Sequence, residues 1–226
     1  MLPTEKDVNY RGRKTHQSGS EQRRKAILEA ALRIIIREGV RGVRHRAVAK
    51  EAGVPLSATT YYFKDISDLI TDTFTLFAEK RMTQEGDLYK EDVAEYLSQH
   101  DLEKIRADGL QDQVVADVAL LVAKHLYTEL EDRRGDVMAE QTFLHEAVRD
   151  KRLQPLALEY RHTLECELGP ILELCGSRDI KLDAKLLLIS LLHLQYEGLI
   201  DAEKPNLEAL NRSVMHLFLS FSSQPS

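Results

Sequence analysis

The residues with the clearest chemical purpose lie between positions 46 and 63, which read RAVAKEAGVPLSATTYYF. Gly53 separates a short segment with Val48, Ala49 and Ala52 on one face from a second segment over about 57–63. That pattern predicts two short helices joined by a three- to four-residue turn, a helix-turn-helix, with glycine where the chain must reverse at positive φ. Val48, Ala49, Val54 and Phe63 are the apolar residues available to fix the angle between the helices. The second helix carries small or hydroxylic side chains, Ser57, Ala58 and Thr60, which allow close approach to base edges in a major groove. Tyr61, Tyr62 and Lys64 have the length and chemistry to reach phosphates or thymine methyl groups.

Charge supports that chemistry once its distribution is considered. The whole chain has a net charge of −6. Residues 1–65 hold 14 Lys+Arg against 7 Asp+Glu, a net of +7, and the rest hold 17 against 30, a net of −13. Such asymmetry directs the first third toward a polyanion. A non-specific architectural DNA binder, the alternative function, would spread its basic residues along the chain. A helical enzyme is the remaining alternative, but the sequence has no GxGxxG, P-loop, GxSxG or HExxH motif. His145-Glu146-Ala147-Val148-Arg149 begins like a zinc site and lacks its second histidine. No enzyme activity, catalytic residue, metal or cofactor is therefore expected. Cys166 and Cys175 match neither a CxxC pair nor a zinc finger and read as reduced thiols. Residues 1–25 lack the apolar stretch of a signal peptide. The strongest apolar run, Leu186 to Leu194, is broken by Ser190 and His193 and falls far short of the roughly 20 residues a bilayer requires. A soluble, cytoplasmic protein without membrane contact is expected.

The elements that must position these residues are all helical. Residues 1–19 are polar and predict a mobile basic arm carrying Arg11, Arg13 and Lys14. Ser20 is the expected cap of a first helix whose Ile27, Ala30, Ala31, Ile34 and Ile35 share one face, with Gly39 as its stop. The second helix is expected over 46–52 and the third over 57–63, with Ser57 as cap. Ser67 caps a fourth helix bearing Leu69, Ile70, Thr73, Phe74 and Phe77. Further helices are expected near 88–106, 110–132, 136–151, 155–175, 182–202 and 206–222, with Gly86, Gly109, Gly135, Pro155, Gly176 and Pro205 near the joints. Gly169-Pro170 should kink or divide the helix that contains it. No period-two strand pattern occurs. The fold class is all-α, with a three-helix helix-turn-helix domain over 20–66 and a larger helical domain over 67–226.

From about Arg24 to Phe77 the sequence resembles the DNA-binding domain of the TetR family of transcriptional regulators. The likeness rests on Glu38-Gly39-Val40, on Val48-Ala49-Lys50-Glu51-Ala52-Gly53-Val54, on Tyr62-Phe63-Lys64 and on the Leu69 that follows. It implies that Arg46 contacts a base. It also implies that Ser57, Ala58, Thr60 and Tyr61 face the groove and that Tyr62 touches phosphate. Arg44 stands where the family commonly has a capping Thr, Ser57 where it has Gly, and Ile66 where it often has Lys. Arg44 and His45 are then available for other backbone contacts.

The resemblance further implies a ligand-binding and dimerising C-terminal domain. The partners are then an operator in double-stranded DNA, a small-molecule effector and a second copy of the chain. The function implied is sequence-specific regulation, with repression as the family default, relieved when the effector releases the protein from a palindromic operator. The helix near 182–202 is apolar almost all round and must be covered on several sides. Pairing of the last two helices across a two-fold axis would cover it, with Leu187, Leu191, Leu194, Met215 and Phe218 as candidate contacts. A ligand pocket would be mostly apolar with a few polar groups. His125, His145, Tyr160 and Gln195 sit on or beside apolar faces and are the candidates.

Overall fold

A computed structural model describes residues 18–83, 95, 96, 98, 111–201 and 205–221. The expected arm over 1–19 lies outside the described residues except for its last two, which are helical. The helix expected near 88–106 lies outside them except for 95, 96 and 98, also helical. Among the described residues there are nine α-helices and no strand. They are α1 (Ser18–Glu38), α2 (His45–Glu51), α3 (Leu56–Tyr62), α4 (Ile66–Thr83), α5 (Gln111–Asp132), α6 (Arg134–Ala147), α7 (Gln154–Leu174), α8 (Ile180–Ile200) and α9 (Leu207–Phe221). No described helix is long and apolar enough to cross a membrane. The chain forms two units, one from Met1–Met82 with Met138–Leu158, the other from Thr83–Val137 with Glu159–Ser226.

In the first unit, α1 forms because its apolar residues recur at three- and four-residue steps. Ile27, Ala30, Ala31, Ile34 and Ile35 are all buried. Each of the three isoleucines contributes roughly 1.5–3 kcal/mol by leaving water. Gly39 ends α1, and a single 3-10 turn (Val40–Gly42) leads into α2. α2 closes at Gly53, whose φ of 65° requires a residue without Cβ strain, and the Val54 amide bonds back to Ala49 O at 3.0 Å. Phe74 and Phe77 of α4 pack on Phe143, with ring centroids 5.1 and 6.5 Å apart.

Three expected caps are corrected. Ser20 lies within α1, which starts at Ser18. Ser57 lies within α3, where Pro55 stands at the N-cap position and fixes φ at −59°. Ser67 lies within α4, and Asp65 is the capping side chain, accepting the Ser67 amide at 2.9 Å. Arg44 precedes α2 without any side-chain cap bond, as its replacement of threonine implies.

The second unit buries Val115, Val118, Val122 and Leu126 of α5 with Ile171, Leu172 and Cys175 of α7 and its end, Leu187 and Leu188 of α8, and Val214 and Phe218 of α9. α7 runs unbroken through Pro170, so the expected division there does not occur. Asp179 caps α8 by accepting the Leu182 amide at 3.1 Å, and Asn206 caps α9 through the Ala209 amide at 3.0 Å. At the other end of α8, the Arg134 guanidinium donates to the carbonyls of Gly198 (3.0 Å) and Leu199 (2.6 Å). A Cβ at Gly198 would lie 2.6 Å from Leu130 Cδ1, so a larger residue there would require the Leu130 side chain to shift. Cys175 is buried, and burial pushes its thiol up to about 12, whereas Cys166 is exposed.

Candidate nucleic-acid interface

α3 is two turns long and is held by one side. Thr59 is fully buried and bonds back to Leu56 O at 2.8 Å, while Phe63 is buried to 1% exposure. The opposite side carries Ser57, Thr60 and Tyr61, all exposed, at the spacing that places them on one helix face. Ala58 is half-buried at its margin. Thr60 Oγ1 lies 3.3 Å from both Leu56 O and Ser57 O, so its hydroxyl is satisfied locally. Tyr61 is 49% exposed and stands edge-on against Tyr62, with ring centroids 5.1 Å apart and planes at 85°. Its ring therefore projects from a fixed base.

Tyr62 behaves differently from the expectation of a phosphate-reaching side chain. Only 5% of it is exposed, and its hydroxyl is 2.8 Å from Ser20 Oγ on α1. Burial of the ring makes it a packing residue that ties α3 to α1, and the residue also lines a cleft. That cleft is lined by Gly19, Ser20, Arg23, Pro55, Ser57, Ala58 and Tyr61 as well. Sequence reasoning missed Ser20 and Arg23 as neighbours of α3. No local signal reveals them, because the two segments are brought together only by burial of α1.

Basic side chains of the same segment are also exposed. Arg44, Arg46 and Lys64 are exposed, and His45 is half-buried with its Nδ1 enclosed and unbonded. Glu51 at the end of α2 accepts from Arg33 (2.9 Å) and Arg37 (3.4 Å), so this carboxylate is engaged with α1. Its acidity is strengthened first by the Arg33 hydrogen bond and further by Arg37. Asp65 is held below the usual carboxylate range, chiefly by the Ser67 amide, then by the Ser67 hydroxyl, with Arg152 and His45 adding to the effect. Beneath α3, the buried Arg24 donates to Asp72 Oδ2 of α4 at 3.1 Å and to Glu21 at 2.8 Å, and lies 5.9 Å from the Phe63 ring centroid. That one guanidinium joins α1, α4 and the residue that ends α3.

The ligand candidates separate. His145 is exposed and belongs to the first unit, so it is not part of a buried polar cluster with the others. Tyr160 is fully buried in the second unit. His125 and Gln195 are brought together through a residue the sequence reading missed, Glu129, which is 1% exposed. Gln195 Nε2 donates to Glu129 Oε2 at 2.5 Å, and His125 Nε2 is 3.6 Å from the same oxygen. The signal that could have found Glu129 is its place one turn after His125 in an otherwise apolar face.

The interface candidates also need correction. Leu187 and Phe218 are fully buried in their own chain's core and present nothing to a second copy. Leu191, Leu194 and Met215 are half-buried against that core. The large apolar residues left exposed on α8 are instead Ile180, Leu182, Leu186, Ile189, Tyr196 and Ile200.

Comparison with known proteins accords with this geometry. Residues 27–73 match the family model described as bacterial regulatory proteins, tetR family. The HTH-type transcriptional regulator PksA of Bacillus subtilis (strain 168) is 41% identical over 64 residues, a match that spans 28% of this chain and 31% of that relative's length. A solved member of the TetR family from Streptomyces coelicolor, SCO1917, is 25% identical with a TM-score of 0.62, covering 87% of this chain and 98% of that one. The multidrug binding protein EbrR, solved with imidazole, is 25% identical with a TM-score of 0.61, covering 90% and 97%. The head of this chain is thus similar to the tetR family of bacterial regulatory proteins, and the chain as a whole is similar to a solved member of that family.

Proposed function

We propose that the chain is a sequence-specific transcriptional regulator that binds double-stranded DNA as a homodimer in the cytoplasm and represses until a small molecule releases it. One observation carries the reading. The exposed Ser57, Thr60 and Tyr61 face of α3 lies in a segment of net charge +7 that also exposes Arg44, Arg46 and Lys64. Short polar side chains and one projecting aromatic suit base edges, while the exposed cations suit phosphates.

The dimer is supported by the exposed stripe on α8. Leu182, Leu186, Ile189, Tyr196 and Ile200 repeat at three-, four- and seven-residue intervals, the spacing of a helix–helix seam. Ser190, His193 and Leu194 of the same helix form a groove with Arg212, Ser213 and His216 of α9. Ile189→Asp is therefore expected to convert the dimer to a monomer in light-scattering measurements at micromolar concentration, with the helical circular dichroism unchanged. A dimer of wild-type stability in that variant would remove this seam from the account.

An effector in the second unit would be mostly apolar and would meet the His125, Glu129 and Gln195 cluster. EbrR has been solved with imidazole and with proflavin, which supports small-molecule control for a chain of this shape. Release needs only a differential affinity of roughly 1–3 kcal/mol between the conformer whose recognition helices match successive grooves and the one whose helices do not. The decisive experiment is selection of duplexes from a random library by the wild-type protein. Enrichment of an inverted repeat that resists competitor DNA is the expected result. Recovery of unrelated duplexes whose binding collapses with salt would support architectural binding instead.

A further inference from the structure

The first unit contains a short stretch remote in sequence from the helix-turn-helix. After α6 the chain turns through residues 148–153, and Leu153 is fully buried. Arg152 in this turn donates from Nη1 to Ser67 Oγ, in the first turn of α4. Its other two nitrogens are committed to Asp150, Nε at 2.9 Å and Nη2 at 2.6 Å, and its own amide also bonds Asp150 Oδ1 at 2.9 Å. Asp65 and Asp68 add attraction to the guanidinium. The fork is thus braced by Asp150 and aimed at Ser67, with each of its three nitrogens engaged in a bond.

Ser67 is a sensitive place to hold. Its amide is the group that the Asp65 cap accepts, so one residue receives both the cap and the arginine. Only Lys64, Asp65 and Ile66 separate it from Phe63, the buried residue that ends α3. A small rotation of the first turn of α4 must therefore reposition the end of α3. The Arg152 side chain is 36% exposed, and exposed ion pairs contribute little to stability. Its geometry is nevertheless specific, because a planar fork holds both a carboxylate and a hydroxyl in fixed directions.

We propose that Arg152 is a positioning residue for DNA binding: braced by Asp150, it fixes Ser67 and thereby the pitch at which α3 meets the duplex. The inference rests on the reading of α3 as the recognition helix. The test uses the full chain and an inverted-repeat duplex selected by the wild-type protein. Arg152→Ala is expected to bind that duplex about tenfold more weakly, with the slope of affinity against salt unchanged, since no phosphate contact is lost. Arg152→Lys, which keeps the charge and loses the fork, is expected to recover little. Ser67→Ala removes a single oxygen and is expected to weaken binding in the same direction. The loss in the double variant should fall short of the product of the two single losses, because both changes break the Arg152–Ser67 contact.

Wild-type affinity in Arg152→Ala, a shallower salt slope, or multiplying losses in the double variant would each overturn the proposal. If Arg152→Ala does not fold, Ser67→Ala decides, and wild-type affinity there overturns it. Failure of the wild-type protein to select any duplex would instead strike the recognition-helix reading itself.

Discussion

Tyr61→Ala is expected to weaken binding to the selected duplex by roughly ten- to a hundredfold, the cost of about 1–3 kcal/mol for a base-facing contact. The residue is 49% exposed, shares a helix face with Ser57 and Thr60, and rests edge-on against the buried Tyr62. Its ring is therefore already oriented before DNA arrives, and little ordering entropy opposes the contact. Because it leaves no cavity behind, its removal should change stability by no more than about 0.5 kcal/mol. Arg46→Ala, also at an exposed position, should lower affinity without disturbing the dimer. Electrophoretic mobility shift and equilibrium sedimentation report both properties. Normal binding by both variants would put the recognition surface elsewhere on the molecule.

Asp72→Ala should be the most destabilising single change considered for the head. Asp72 is fully buried and receives the Arg24 guanidinium, whose side chain is 4% exposed. Removing the carboxylate leaves a buried cation with Glu21, a partner half in water, to compensate it. Loss of one member of a buried pair typically costs about 3–5 kcal/mol. The presence of Glu21 places the expectation near the lower end, about 3 kcal/mol. Urea unfolding followed by circular dichroism measures it, and a loss below about 1 kcal/mol would show that the pair does not organise the head. Replacing both partners, Arg24→Met with Asp72→Leu, should cost less than Asp72→Ala alone, since no charge is then stranded.

The head was readable because its signals are local. Apolar residues at three- and four-residue steps marked α1, and Gly39 and Gly53 marked where α1 and α2 stop. The caps were less readable because serine competes with its neighbours for that role. Pro55 opens α3 ahead of Ser57, and Asp65, two residues before Ser67, is the better acceptor. Gly169-Pro170 is expected to kink or divide α7, since proline typically costs about 3 kcal/mol in a helix interior. Burial of Leu168, Ile171 and Leu172 around it offsets that cost.

The second unit was harder to read for a different reason. α8 is apolar on nearly every side, so periodicity does not say which face turns inward. Leu187 was assigned to a subunit contact and is core, while Leu186 and Ile189 on neighbouring positions are exposed. A carboxylate on a helix usually faces water, so the sequence alone does not single out Glu129 as enclosed. Only its packing beside Gln195, 66 positions away, shows that it is enclosed. The Arg152 contact to Ser67 spans 85 positions and has no sequence signature at all.

The most direct test of the central claim attaches a DNA-cleaving chelate to the outer face of α3. Thr60→Cys in a Cys166→Ser background offers a single exposed thiol, because Cys175 is buried and its thiol is pushed up to about 12. Bound to the selected duplex, the labelled protein should cut at two sites one helical turn, about 34–36 Å, or a multiple of that apart. Cleavage no different from that of free chelate, with the protein still bound, would contradict the placement of α3 in the groove.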